Sequence, residues 1–373
     1  MDLITLKKIY SIIDKYNLKE TIGDIDNWLG HFDNKMINNF TNLHINHLSD
    51  LLNKNKYMLT NLYFINSSYY LMDVIYLNAA KDEKYLKAIY NCACNSNSYS
   101  NYHHTYDMLL IASAKSSSLA EKLSFLACDK NSLNGKFHEY DMNLILNANS
   151  DSRAGSLLKC AYNEELLKKD NHEYIMNLIS SVKEDWMAYG LSLITCDSEL
   201  LNGKLYNASV NAILSAKSDT TLDLLLKYIH LNRYIKSKHY NDDIKMIVSA
   251  NDDYVSELLT ECALYSNSIN SKYHKRDMEL IYSAKSKIIA KCLCVCATNY
   301  SSLNNIYHER DMDLISNSLD DYTAIMLCTE ACKKDLLDGT QHSDIMLNIA
   351  NSKYSDNDNE KSKKQLALNQ FMW

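Results

Sequence analysis

The sequence predicts an all-α chain, an α-solenoid of 34-residue two-helix repeats with about eight complete units, a partial ninth and an N-terminal helical cap. Three observations predict it. The chain holds no proline and seven glycines, where average usage would supply roughly 19 and roughly 26. A step recurs along the chain at a fixed interval. Within each step the apolar residues fall at helical spacing.

The first observation is compositional. Helix interiors reject both proline and glycine, so their scarcity agrees with a mostly helical chain. AT-rich coding is a rival source, since Asn, Lys, Ile and Tyr are abundant. Hydrophobic residues at 46% and charged residues at 23% are ordinary for a folded protein.

The second observation is the repeat. The stretch YHKRDMELIYSAKSKI from Tyr273 returns as YHERDMDLISNSLDDY from Tyr307. Aligned on the Asp-Met step, equivalent positions fall at 73, 107, 141, 175, 209, 243, 277, 311 and 345, with no insertion. The fifth position of each unit reads Leu77, Ile111, Ile145, Ile179, Ile213, Ile247, Ile281, Ile315 and Ile349. The seventeenth reads Ile89, Leu123, Leu157, Leu191, Leu225, Leu259, Leu293 and Leu327. A fixed period of this length signals stacked supersecondary units.

The third observation places helices inside the unit. Met278 and Ile281 share one face with a small residue a turn later, and Ile289, Leu293, Cys296 and Ala297 form a second amphipathic face. The polar AKS between them is a break, and TNYSSLNNIY reads as a loop pinned by Leu303. Helices of about ten residues are marginal alone and become stable when each neighbour covers the apolar face of the last. The alanines at the eighth and fourteenth positions mark close helix approach.

In order along the chain, residues 1–56 read as an N-terminal helical cap or small helical domain, residues 57–353 as the array, and residues 354–373 as a polar, flexible tail. The tail ends on apolar Phe371, Met372 and Trp373, which either fold back on the last repeat or stay loose. No run of eighteen apolar residues exists, so no membrane span is expected, and the first twenty residues are too charged for a secretory signal. Eleven cysteines, without disulfide-domain spacing, suggest free thiols in a reducing cytoplasm.

The unit length resembles that of tetratricopeptide repeats, also 34-residue helical hairpins, although their Trp-Leu-Gly-Tyr pattern and terminal proline are missing. The middle third of a unit, LIYSAKSKIIAKCL, looks loosely like a TAL-effector unit, whose inter-helix loop reads DNA bases. A base-reading pair should vary from unit to unit, and here it is mostly Ala-Lys. Neither resemblance assigns a family.

Three columns and one cysteine-rich stretch carry candidate chemistry. The ninth position reads Lys81, Lys115, Asn149, Lys183, Lys217, Asn251 and Lys285, with Leu319 breaking the series. Ammonium groups set along one edge at the inter-helix turn would suit an anionic partner. Equally, Lys and Asn suit a helix end, where they stabilise the last carbonyls. His104, His138, His172, His274, His308 and His342 share another position, with Tyr206 and Tyr240 in the remaining places. Lacking zinc-ligand spacing, these are expected just before the first helix, bonded to backbone groups. Asp at 73, 107, 141, 243, 277 and 311 is expected to cap and complement the helix start. CLCVC, with Cys292, Cys294 and Cys296, falls inside the second helix and reads as buried thiol.

No glycine-rich phosphate loop, nucleophile elbow or zincin helix is present. The sequence therefore reads as a non-enzymatic binding scaffold without cofactor or metal, most readily for a protein or peptide. Specificity would sit at exposed variable positions such as the third and sixth of each unit. The alternative is a sequence-tolerant nucleic-acid-binding array using the Lys/Asn edge, although a net charge of −7 argues mildly against that.

Overall fold

The computed structural model describes residues 73, 76, 77, 80–333 and 339–352. The expected cap at 1–56 and tail at 354–373 lie outside the described residues. Regular structure among the described residues is all helical: 22 helices and no strand. The chain divides into two compact units, Met1–Leu201 and Asn202–Trp373.

The first unit contains α1 (Glu83–Cys94), α2 (Ser96–Tyr99), α3 (His104–Ser113), α4 (Ser117–Cys128), α5 (Lys130–Leu133), α6 (His138–Leu146), α7 (Asp151–Ala161), α8 (Glu164–Leu167), α9 (His172–Ser181), α10 (Asp185–Thr195) and α11 (Ser198–Leu201). The order long, long, short recurs three times from α3. The long helices beginning at His104, His138 and His172 pack on one another in sequence, α3 on α6 and α6 on α9. The second long helices do the same, α1 on α4, α4 on α7 and α7 on α10. This neighbour-on-neighbour packing of two helical layers is that of a repeat array. Between the layers lie Leu77, Ile111, Ile145 and Ile179 on one side and Ile89, Leu123, Leu157 and Leu191 on the other, all buried.

The second unit contains α12 (Tyr206–Ser215), α13 (Asp219–Ile235), α14 (Tyr240–Ser249), α15 (Asp253–Leu264), α16 (Ser266–Ile269), α17 (His274–Tyr282), α18 (Lys287–Thr298), α19 (Tyr300–Leu303), α20 (His308–Ser316), α21 (Asp321–Ala331) and α22 (Gly339–Asn351). Its layers run α12, α14, α17, α20, α22 and α13, α15, α18, α21. Ile213, Ile247, Ile281 and Ile315 face Leu225, Leu259, Leu293 and Leu327 in its core. The alanines at the fourteenth position, Ala120, Ala154 and Ala188 in the first unit and Ala290 and Ala324 in the second, are fully buried, as close approach requires.

Two local features depart from the expectation. The connector is not simply a loop, because a one-turn helix forms in it (α2, α5, α8, α11, α16, α19). Asn95, Asp129, Asn163 and Asn299 precede four of these turns and accept backbone N–H groups at their starts. Four residues are about one turn and carry no periodicity to read. The second departure is α13, in which second helix and connector turn fuse into 17 residues. Leu231 stands there in place of the capping Asn or Asp, and the helix runs on until Lys236, whose left-handed backbone (φ 54°) ends it. Tyr265 also lacks a cap and the chain still breaks there, so losing the cap permits the fusion without forcing it. Fusion leaves Ile235 37% exposed, whereas Leu133, Ile269 and Leu303 at the equivalent place are buried.

Caps also join one repeat to the next. Ser116, Ser150, Ser218 and Ser286 each accept a backbone N–H of their own second helix. The same hydroxyls donate to Asp151, Asp185, Asp253 and Asp321, thirty-five residues on. Where Asp252 takes the serine's place, the partner is Lys287 at 3.3 Å. The interaction survives with its polarity exchanged.

Candidate functional site

The histidine and aspartate columns meet each other. His104 Nε2 lies 3.0 and 3.1 Å from the Asp73 carboxylate oxygens, His138 Nε2 3.0 and 3.0 Å from Asp107, and His172 Nε2 2.8 and 3.0 Å from Asp141. In the second unit His274 pairs with Asp243, His308 with Asp277 and His342 with Asp311. Every one of these residues is buried. His104, His138, His172, His274 and His308 begin their helices, His342 lies in the first turn of α22, and all turn inward onto a carboxylate of the preceding repeat, so they do not serve backbone groups as expected. The aspartates are likewise not caps. Asp107, Asp141, Asp243, Asp277 and Asp311 each sit three residues inside their helices, and the capping falls to the residue before the second helix.

In four of the six the other ring nitrogen is held as well, while Nδ1 of His172 and His342 has no partner among the described residues. Nδ1 lies 2.9 to 3.1 Å from Ser98, Ser132, Ser268 and Ser302, six residues before the respective histidine. Cys92 and Cys262 extend two of these chains to a fourth group. In several repeats an aromatic or imidazole ring one residue before the first helix packs over the next repeat's histidine: Phe137 on His172, His103 on His138, His239 on His274 and Tyr273 on His308.

Ser, His and Asp in hydrogen-bond sequence are also the parts of a hydrolytic triad. Here serine, histidine and carboxylate are all buried, and the full set recurs in four repeats. A nucleophile must touch solvent-borne substrate. These groups instead satisfy one another inside the interface between repeats, which is what buried polar atoms require.

Burial raises the carboxyl pKa of Asp73, Asp107, Asp141 and Asp311, and the histidine hydrogen bond and charge draw it part of the way back. The pairing was legible in the sequence as a rule linking two columns. Tyr240 replaces histidine where Ser209 replaces aspartate, and the two hydroxyls bond at 2.7 Å. Tyr206 likewise stands where the aspartate position holds Ile175.

The Lys/Asn column lies where the sequence placed it. Lys81, Lys115, Asn149, Lys183, Lys217, Asn251 and Lys285 are all exposed, between the end of one long helix and the start of the next. Several are engaged. Lys217 Nζ donates to the carbonyls of Ser249 and Ala250 at 3.0 and 2.7 Å, and Lys81 Nζ to that of Ala114 at 3.4 Å. Lys183 lies 3.6 Å from Glu184. The carbonyls met by Lys81 and Lys217 belong to the following repeat's first helix, so helix-end stabilisation operates across the interface. The inter-helix turns that hold these residues also carry Asp82, Asp151 and Asp185 in the first unit and Asp219, Asp253 and Asp321 in the second.

The exposed face of the first helices varies. The third position reads Leu109, Asn143 and Asn177 in the first unit, then Asn211, Lys245, Glu279 and Asp313 in the second, each exposed or half-buried. Ile75, which opens the column, lies outside the described residues. Tyr102 and Tyr174 flank this face in the first unit at 79% and 67% exposure. In the second unit Arg276 bonds Asp313 at 2.5 Å. Small residues of α12 open a groove of about 360 Å³ against α14, lined by Ala208, Ala212, Ile244 and Val248 with Asn211 and Lys245 at its rim.

The cysteines are all free among the described residues, and the three of CLCVC are buried as expected. Unforeseen is a meeting of Cys296 with Cys328 and Cys332, each at 3.5 Å.

Comparison with known proteins finds no family model, curated protein or solved structure that matches this chain. No helix of the described residues is long and apolar enough to cross a membrane.

Proposed function

We propose that the chain is a non-enzymatic binding scaffold, an array of about eight complete 34-residue units with a partial ninth, that holds a protein or peptide partner on the outer face of its first helices. The observation that carries this reading is a contrast within each unit. The fifth and seventeenth positions stay Ile or Leu and are buried from Leu77 to Leu327, while the third position, on the first helix, runs from Leu109 through Asn177 to Lys245 and Glu279. Packing demands the constancy and leaves the outer face free to differ, the division of labour on which extended repeat surfaces recognise partners. The groove beside Ala208 and Ala212 has the depth and mixed lining to take an apolar peptide side chain between polar contacts.

Nucleic acid is the lesser reading. Its support is the exposed Lys/Asn edge; against it stand the lysines already bonded to carbonyls and the carboxylates beside them. Eleven free thiols fit a reducing cytoplasmic setting.

Deletion of residues 141–174 tests the proposal. That segment removes Asp141 and His172 together, so no buried partner is orphaned. The shortened chain should keep its helical circular dichroism and lose affinity for partners captured from the native cell and identified by mass spectrometry. Unchanged affinity would exclude contact along the whole array. Capture of nucleic acid, with retention at 50 mM salt and release as salt rises, would favour the lesser reading.

A further inference from the structure

We infer that Cys296, Cys328 and Cys332 form a three-sulfur site for a soft closed-shell metal ion, with monovalent copper the best match. Their sulfurs lie within 4.8 Å of one another, and two of the distances are 3.5 Å. A metal bonded to three sulfurs at about 2.3 Å in a plane sets them about 4.0 Å apart. Cys296 and both partners therefore need to move by less than an ångström. The donor set is all thiol, with no imidazole or carboxylate joining it among the described residues. Thiolate ligands select monovalent copper, zinc and iron–sulfur clusters. Three sulfurs complete the shell of monovalent copper, whereas structural zinc asks for a fourth ligand.

The fold builds this group from two neighbouring helices. Cys296 lies near the end of α18, and Cys328 and Cys332 lie one turn apart at the end of α21. The same two-helix relation, thirty-six residues apart, brings Cys160 and Cys196 to 3.7 Å in the first unit, but there it yields only two sulfurs. In the second unit an added cysteine, Cys328, completes a trio. Cys296 and Cys328 are buried and Cys332 half-buried, which leaves an entry path on one side. In the metal-free site Cys296 Sγ donates to Cys328 Sγ at 3.5 Å, so metal binding displaces thiol protons into solvent.

The test is an anaerobic titration of the full-length reduced chain with monovalent copper against a colorimetric copper(I) chelator, with a parallel zinc arm. X-ray absorption at the copper edge then reads the ligand count. One copper per chain with three sulfur neighbours is expected. Cys332→Ser should weaken binding by at least about a hundredfold, more than the loss of an outer-shell partner costs. Cys196→Ser, which breaks the two-sulfur pair, should leave the high-affinity event unchanged. Circular dichroism and thermal melting of the metal-free variants check that each is folded; if Cys332→Ser unfolds, Cys328→Ala replaces it with the same expectation. Failure of the chain to compete with the chelator would overturn the assignment. So would equal binding by Cys332→Ser, or retention of zinc in preference to copper.

Discussion

Exchanging one buried pair for the other that this chain already uses provides a sharp test of the inter-repeat chemistry. At the interface of α3 and α6, Asp107 and His138 are fully buried and bonded at 3.0 Å. Asp107→Ser leaves His138 Nε2 facing a hydroxyl too short to reach it. His138→Tyr drives a longer ring against an unpaired carboxyl. Breaking a buried hydrogen-bonded pair from one side costs about 3–5 kcal/mol, so each single variant should lose about 3 kcal/mol. The double variant recreates the bridge of Ser209 and Tyr240, whose oxygens lie 2.7 Å apart. A short residue facing a long one spans the gap that aspartate and histidine span. The double variant should therefore lose no more than either single one, a coupling of about 3 kcal/mol at the upper end for residues in contact. Guanidinium unfolding by circular dichroism measures the totals. Native-state hydrogen exchange over α3 and α6 measures the local effect, since repeat arrays need not unfold all at once. A double variant as unstable as the two losses combined would refute the idea that the two columns form one unit.

Four further outcomes are expected. Arg153, 4% exposed, donates to the carbonyls of Ser180 and Lys183 and pairs with Asp185 at 3.0 Å; Arg153→Met should cost about 2–4 kcal/mol in chemical unfolding. Lys217→Met removes an exposed ammonium from two helix-end carbonyls and should cost only about 0.5–1 kcal/mol by the same assay. Because burial raises the Asp141 carboxyl above 3.8, its folded form binds the proton more tightly than the unfolded chain does. That contribution is full below pH 3.8 and is lost as pH rises through the raised value, so the stability of the parent relative to Asp141→Asn should fall as pH climbs through that window. Burial pushes the Cys94 thiol from 9.0 up to about 12; at pH 8 this leaves about a thousandfold less thiolate, and iodoacetamide labelling of Cys94, followed by mass spectrometry, should be slower than in guanidinium by a comparable factor.

Much of this architecture was legible because a buried face must be apolar at every turn. Ile111, Ile145 and Leu123 announced the core at helical spacing, and all are buried. The exposure of the Lys/Asn residues follows from their position between two amphipathic runs. The connector turn escaped notice because SNSY or YSSL is too short to show a period, and the signal lies in the Asn that caps it. The buried histidine network escaped because each column, taken alone, has an ordinary explanation at a helix start. Only their joint substitution, Ser209 with Tyr240, tells of contact.

The amino-acid sequence by itself determined which residues are hidden and that the hiding repeats, since burial is set by residue type and a period can be counted along one chain. The tertiary structure decided who meets whom. The offset at which one helical pair stacks on the next brings position 107 to 138 and position 296 to 328 and 332. That offset follows from the shapes of whole packed faces, with alanines such as Ala120 and Ala290 allowing close approach.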